Sequence, residues 1–349
     1  ASNVIAALVL SGASGMKWPS SGQLVQALVA GFLLYAGGAT LNDVADADFD
    51  WSDDRRAEKP EWIAAFWGSV ISGVHVVPID YRASADFLRR VDEKVHAKAA
   101  LIGDEVSLPN WEGRPPVWKL SEFDWTPPAT TLAPVLLQPD DIAEIVFTSG
   151  STGEPKGVLI TYGNLRAFLE AGLDLNRITD ESVSMVALPV FHIGGTGWAM
   201  QALANGAALV VMRDFTPAHV LRLVEQHRVT HSLWVPTMIQ MMMGCTEPAD
   251  VSSIRFIMYG ASPITDTLLT EAIERFGKVF VGSYGLTETC AGCVFLAAED
   301  HDPGGPRSHL LRSVGKPALN VEVRVVDPAT LDELPDGEDG EILIRSPQV

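Results

Sequence analysis

The chain has 349 residues, enough for two or three domains, and 47% apolar against 20% charged residues builds large buried cores and excludes global disorder. With 25 Lys+Arg against 44 Asp+Glu its formal charge is −19, which argues against a nucleic-acid partner because neutralising phosphates takes clustered Lys and Arg. Local backbone dipoles still leave room for an anionic ligand. Three cysteines make no disulfide framework, so a reducing, cytoplasmic setting is expected, and no secretory leader pattern follows Ala1.

Residues 1–60 differ in texture from the rest. The run from Leu24 to Leu41, LVQALVAGFLLYAGGATL, carries no charge. As a helix its 18 residues would span about 27 Å, the lower limit for crossing a bilayer. It reads either as a transmembrane helix or as a buried helix of a water-exposed domain, and Val4–Leu10 is a partial apolar run that could supply a neighbour. Next come Asp43, Asp46 and Asp50 at i, i+3, i+7, which puts their carboxylates on one helix face. Such repulsion is costly unless a cation such as Mg²⁺ shared with a diphosphate relieves it. The alternative is a solvated acidic helix end. Asn42, Asp43, Asp46 and Asp50 after an apolar helix resemble the NDxxDxxxD motif of UbiA-type membrane prenyltransferases. That resemblance implies a Mg²⁺–diphosphate site in a fragment lacking the rest of the helical bundle, hence a prenyltransferase remnant and membrane association through residues 24–41.

From Glu61 the sequence alternates like an α/β fold with a mainly parallel sheet. Trp62–Ser72 has helical periodicity, Val74–Ile79 is β-branched around Pro78, Ser84–Val95 reads as a helix and Ala99–Ile102 as a strand. Pro109–Pro139, rich in Pro and Trp, reads as a loop excursion. Ile142–Phe147 is a strand running into Thr148-Ser149-Gly150-Ser151-Thr152-Gly153-Glu154-Pro155-Lys156-Gly157. Glycines let backbone N–H groups turn toward an anion, hydroxyls add donors, and Lys156 adds a mobile charge. This is not a Walker A loop, since the Lys precedes its Gly. A plain Ser/Gly-rich turn is the bland alternative.

The segment TSGSTGEPKGV resembles the phosphate-binding signature of the AMP-binding, adenylate-forming superfamily, which includes acyl-CoA synthetases. LPVFHIGG (Leu188–Gly195), YGAS (Tyr259–Ser262) and SYGLTET (Ser283–Thr289) follow in the family's order. The resemblance implies an ATP-dependent carboxylate–CoA ligase acting on a fatty or aryl acid, with ATP, Mg²⁺ and CoA as cofactors. On that reading Thr148, Ser149, Gly150, Ser151, Thr152, Gly153 and Lys156 cradle the β- and γ-phosphates. Thr287 bonds the α-phosphate, Glu288 holds Mg²⁺, and Tyr284 stacks on adenine beside Gly260, Ala261, Ser262 and Gly285. His192 borders the carboxylate pocket. FHIGG favours acyl- and aryl-CoA ligases over amino-acid adenylation domains. Trp198, Met200, Tyr259 and Cys290–Cys293 are candidate pocket walls, whereas Trp234 and Met238–Met243 read as core. Cys290 and Cys293 form a CxxC but lack partners for a zinc or redox site.

The expected organisation is therefore a helical, membrane-protein-like segment over 1–60 and a partial adenylation domain over 61–349. The latter would be the large N-terminal domain, with the start of a β-barrel subdomain at Val314–Val349 and without the C-terminal domain that carries the family's catalytic Lys. A catalytically inactive nucleotide-binding module or a membrane-tethered fusion is the competing expectation.

Overall fold

The computed structural model describes residues 5–8, 60–104, 106–123, 135–149, 154–212 and 214–349. The candidate membrane helix 24–41 and Asp43, Asp46 and Asp50 lie outside the described residues, as do Gly150, Ser151, Thr152 and Gly153. No helix among the described residues is long and apolar enough to cross a membrane.

Two sheets organise the chain. The first has strand order β4-β3-β1-β2-β5-β6, built from β1 (Ile5–Leu8), β2 (Val76–Ile79), β3 (Ala100–Ile102), β4 (Val117–Lys119), β5 (Ile142–Ser149) and β6 (Pro155–Thr161). β1 runs antiparallel to both its neighbours, pairing Ile5 with Ile79 and with Ile102. This corrects the expectation of an all-helical segment over 1–60, because a short apolar run fits a buried strand as well as a helix and periodicity cannot separate them. A second correction falls in the expected loop 109–139, where β4 and a 3₁₀ turn at Leu120–Glu122 stand. β2 and β5 are parallel, whereas β5 and β6 form an antiparallel hairpin, so this sheet is mixed.

The second sheet has a parallel core of β7 (Val183–Val186), β8 (Ala208–Val211), β9 (His231–Trp234), β10 (Phe256–Gly260) and β11 (Phe280–Leu286). Antiparallel β12 (Ala291–Leu296) and β13 (Lys316–Pro317) extend it. A separate hairpin of β14 (Glu322–Val326) and β15 (Glu341–Arg345) follows.

Helices cover the sheets because the strands are apolar on both faces. α1 (Pro60–Ile71), α3 (Tyr162–Asn176) and α4 (Ile193–Ala204) lie between the sheets; α2 (Ala85–Val95) covers the far face of the first sheet. α5 (Pro217–His227), α6 (Pro236–Met243) and α7 (Asp266–Phe276) cover the far face of the second. The period-2 alternation of strands is visible in the packing. Phe256 and Met258 face the inter-sheet core with Trp62, Phe66 and Trp198, whereas Ile257 and Tyr259 face α6 and α7. Trp234 and Met242 pack there too, as read from sequence. Local signals agree: Ser84 caps α2 by accepting from Phe87 N–H at 3.2 Å, and His96 ends it in the left-handed region.

A β-bulge between Ile142 and Glu144 resets the phase of β5. From there Glu144, Val146 and Thr148 share one face and Ile145 and Phe147 the other. Glu144 is fully buried, and neither of its carboxyl oxygens has a hydrogen-bond partner. Burial pushes its pKa from an ordinary 4.5 up to about 8.

Between those two values the folded chain binds a proton that the unfolded chain does not, so stability falls as pH rises through the window. Glu144→Gln, which keeps the neutral shape, should melt roughly 5 °C higher than the wild type at pH 8. The gain should shrink toward zero below pH 4.5. Melting curves across pH check this; equal pH dependence in both proteins would contradict it.

Candidate functional site

The inner layer opens into a cavity of about 680 Å³ between the strand ends of the two sheets. The first sheet contributes Thr148 and Lys156. Cross-strand pairs of an antiparallel hairpin share a face, and β5 and β6 pair Thr148 with Lys156 and Ser149 with Pro155. The hydroxyl and the ammonium are therefore presented to the same space by register alone. Residues 150–153, which connect them, lie outside the described residues, and of Ser149 only the backbone is described.

The second sheet contributes Gly260, Ala261, Ser283, Gly285, Thr287 and Glu288. Gly260 sits beside Ser283 in the parallel register, and a Cβ on it would overlap the Ser283 carbonyl oxygen. A Cβ on Gly285 would likewise overlap the carbonyl of Ala291. Only glycine allows strands to approach this closely. Ala261 takes a positive φ of 65°, a conformation that side chains disfavour and that turns the chain sharply at the cavity wall. Ser262 is exposed and is not among the lining residues.

Tyr284 is also turned away. Alternation along β11 directs Ser283 and Gly285 to the cavity, while the Tyr284 ring packs against Cys293, Val294 and Val321. The structure thus does not bring Tyr284 to the place where stacking on a base was expected. Of the expected walls, Trp198 lines the cavity, but Met200 and Tyr259 are buried elsewhere. Between Cys290 and Cys293 only Ala291 and Gly292 reach it. Both cysteines are buried free thiols whose pKa burial pushes up, the reverse of what a reactive or metal-bound thiolate needs.

His192 is the N-terminal cap residue of α4, and its carbonyl accepts from Gly195 N–H at 2.9 Å and Thr196 N–H at 3.1 Å. Gly195 is required here, because a Cβ would overlap the Pro189 carbonyl oxygen. The imidazole lines the cavity with an edge open to solvent and packs on Phe191. Burial against the cavity wall lowers its pKa, Asp80 opposes this, and Arg82 adds to it. His192 is consequently neutral near pH 7. Asp80 and Arg82, paired at 2.7 Å just after β2, were not evident in the sequence as part of this surrounding.

Two positioning residues also escaped the sequence. The Thr289 hydroxyl accepts from Leu286 N–H at 2.8 Å and donates to the Ala291 carbonyl at 2.7 Å, clamping the 3₁₀ turn Thr287–Thr289. Gln348, 2% exposed, donates from Nε2 to the carbonyls of Thr289 at 3.3 Å and Gly292 at 3.2 Å. Both hold Thr287 and Glu288 at the rim of the cavity. The sequence signal available was only a Thr two residues after a lining Thr.

No cluster of three or more His, Cys, Asp or Glu able to hold a metal occurs among the described residues. A lone Glu288 carboxylate beside a hydroxyl fits Mg²⁺, which takes one or two carboxylates and completes its shell with phosphate and water oxygens. The arrangement as a whole suits a polyanion at its mouth, between Lys156 and Thr287, and an apolar group further in, among Phe168, Leu175, Trp198 and Phe295.

A model of the AMP-binding enzyme family matches residues 57–349. A fatty acid–[acyl-carrier-protein] ligase of Streptomyces coeruleorubidus is 30% identical over 311 residues, covering 83% of this chain and 58% of that protein. A feruloyl-CoA synthase of an Amycolatopsis species is 30% identical over 308 residues, with the same 83% and 58% coverage. Among solved structures, an amide bond synthetase of Marinactinospora thermotolerans superposes with a TM-score of 0.72 at 25% identity, covering 98% of this chain and 68% of its own. An o-succinylbenzoate CoA synthetase of Bacillus subtilis, in complex with its acyl-adenylate intermediate, gives a TM-score of 0.75 at 25% identity over 93% of this chain and 63% of its own. The chain thus spans about 58% of the length of the first two relatives.

Thr289→Val keeps the side-chain volume and removes the clamp. It should lower the melting temperature by about 3–8 °C and weaken ATP binding about tenfold, whereas Thr289→Ser should restore both. Thermal melts and calorimetric titration with ATP–Mg²⁺ check this, and an unchanged ATP affinity in the Val variant would contradict it.

Proposed function

Because the chain belongs to the AMP-binding enzyme family, we propose that the protein containing it activates a carboxylic acid with ATP and passes the acyl group to the thiol of CoA. The observation that carries the proposal is the single cavity lined by Thr148 and Lys156 from one sheet and Gly260, Thr287 and Glu288 from the other, with an apolar inner end. Relatives whose names state acyl- or aryl-CoA ligase activity support it.

In the first step a carboxylate oxygen attacks the α-phosphorus of ATP, the bond to the bridging oxygen breaks, and pyrophosphate leaves. Lys156 and the Thr148 hydroxyl hold the leaving phosphates, together with Ser149, Gly150, Ser151, Thr152 and Gly153. Thr287 donates to the α-phosphate, where charge develops in the transition state. Glu288 would hold Mg²⁺, which when bound screens the phosphate charges. Gly260 and Ala261 give the base a close approach along backbone, with Ser262 at the outer edge. The neutral His192 borders the carboxylate without adding charge. In the second step the CoA thiol gives its proton to solvent, its sulfur attacks the acyl carbonyl, and AMP departs.

The family match begins at residue 57, so residues 1–56 remain outside it, and the prenyl-diphosphate reading of Asp43, Asp46 and Asp50 gains no support from it. The competing reading, a catalytically inactive nucleotide-binding module, predicts ATP binding without turnover. The two separate in an exchange of labelled pyrophosphate into ATP with the full-length protein and a panel of fatty and aryl acids. Acid-dependent exchange is expected, with Lys156→Ala and Glu288→Gln each lowering it about 100-fold. ATP binding with no acid supporting exchange would overturn the proposal.

A further inference from the structure

Directly after β15, residues 346–349 cross behind the cavity wall. Val349 N–H donates to the Ser346 carbonyl at 3.1 Å, and Gln348 N–H donates to the Ser346 hydroxyl at 3.1 Å. These bonds close a tight turn with Pro347 at its second position, where a fixed φ is favourable. The turn leaves Pro347 at the surface and directs Gln348 inward, 2% exposed. The orientation of the Gln348 carboxamide is fixed, because Nε2 donates to the Thr289 and Gly292 carbonyls and a flipped amide would set oxygen against both. Thr289 closes the turn that carries Thr287 and Glu288, and Gly292 lines the cavity beside Phe295.

Asn164 anchors this strap from outside. Its Nδ2 donates to the Pro347 carbonyl at 3.1 Å. Its Oδ1 accepts from the Thr161 N–H and the Thr161 hydroxyl, each at 2.9 Å, which fixes the amide with its nitrogen toward Pro347. The oxygen of Asn164 thus caps the start of α3 while the nitrogen holds the strap. α3 itself runs along the opposite wall, where Phe168, Gly172 and Leu175 line the cavity. A continuous set of contacts therefore leads from that helix, through Asn164, Pro347 and Gln348, to the turn at the polyanion end. β14 and β15 form a two-stranded sheet of their own, docked through the cross-strand pair Val323 and Ile344 on Cys293, Val294 and Val321. A lone two-stranded hairpin is marginally stable, so the strap takes its position from the anchor at Asn164.

We infer that Asn164 is a positioning residue for the adenylation step: through Pro347 and Gln348 it holds Thr287 and Glu288 in place across the cavity from Thr148 and Lys156. This rests on the acid-activating reading above and extends it to the residues that preorganise its nucleotide end. The donor to the α-phosphate and the carboxylate for Mg²⁺ sit on a 3₁₀ turn of three residues, which is too short to fix its own place. A misplacement of about 1 Å at such groups can cost roughly 100-fold in rate, so an anchor remote from the chemistry governs it.

Asn164→Asp separates the two ends of the amide. The acceptor that caps α3 is kept, and a carboxylate in the first turn suits the helix dipole, whereas the donor to Pro347 becomes an oxygen facing a carbonyl. In the full-length protein this variant should keep its melting temperature within about 2 °C, and residues 161–170 should keep their protection from deuterium exchange. Residues 283–293 should exchange about tenfold faster, and ATP–Mg²⁺ should bind about tenfold more weakly by calorimetry. Gln348→Met removes the donor at the other end of the strap and should do the same. The double variant should be no worse than Gln348→Met alone, because the two residues act in series. Unchanged exchange over 283–293 in Asn164→Asp, or losses that add in the double variant, would overturn the inference, and the first result decides it even where Gln348→Met does not fold. A wild type that binds no ATP–Mg²⁺, or binds it without pyrophosphate exchange, defeats only the acid-activating reading. Faster exchange over 283–293 in Asn164→Asp would then still sustain the strap.

Discussion

Trp62 and Phe66 of α1, Val146 of β5, Trp198 of α4 and Met258 of β10 close one apolar layer between the two sheets, and this layer fixes how far apart the sheets stand. The site depends on that spacing. Thr148 and Lys156 belong to a hairpin at the edge of one sheet, and Gly260, Thr287 and Glu288 to strand ends and a turn of the other. The two groups are far apart in the sequence, and the strand that carries Lys156 lies directly against the turn Thr287–Thr289. They face one cavity because large side chains between the sheets pack to a defined separation, as protein interiors do. The glycines at 195, 260 and 285 are the counterpart of that packing, since each stands where any side chain would push backbone apart.

The same layer carries an unusual polar load. Glu144, Asn176, Ser184 and Gln201 are all buried with unmet oxygens, and Asn176 and Gln201 border the cavity. Glu144 answers the cost by holding its proton. The neutral amides and the serine have no such recourse. Rigid support elsewhere offsets the load: Thr289 and Gln348 tie the turn at Glu288 to β12.

Much of this was legible in the sequence, for identifiable reasons. The segment around Thr148 and Lys156 stands out because glycine, hydroxyl and lysine crowd together directly after an apolar strand, and strand register then does the rest. The helices at Pro60–Ile71 and Ala85–Val95 and the strands at Val76–Ile79 and Ala100–Ile102 follow from periodicity and a serine cap. Side-chain direction was harder. Tyr284, Tyr259 and Met200 sit within one to three residues of lining positions, yet strand and helix phase turns them away. Thr289, Gln348, Asp80 and Arg82 act across long sequence separations, which no local pattern records. The run 24–41 and the acidic stretch after it show how far composition alone can suggest a role without a partner to complete it. From residues 1–59 only Ile5–Leu8 is described, as a strand rather than a helix.

The central claim is that one cavity, shared by the two sheets, holds nucleotide and acid together. A crystal structure of the full-length protein with a non-hydrolysable acyl-sulfamoyl adenosine tests it most directly. The sulfamate is expected within hydrogen-bond reach of Thr287, the adenine against Gly260 and Ala261, and the acyl group running inward past Trp198. An analogue bound with its base or its acyl group outside this cavity would contradict it.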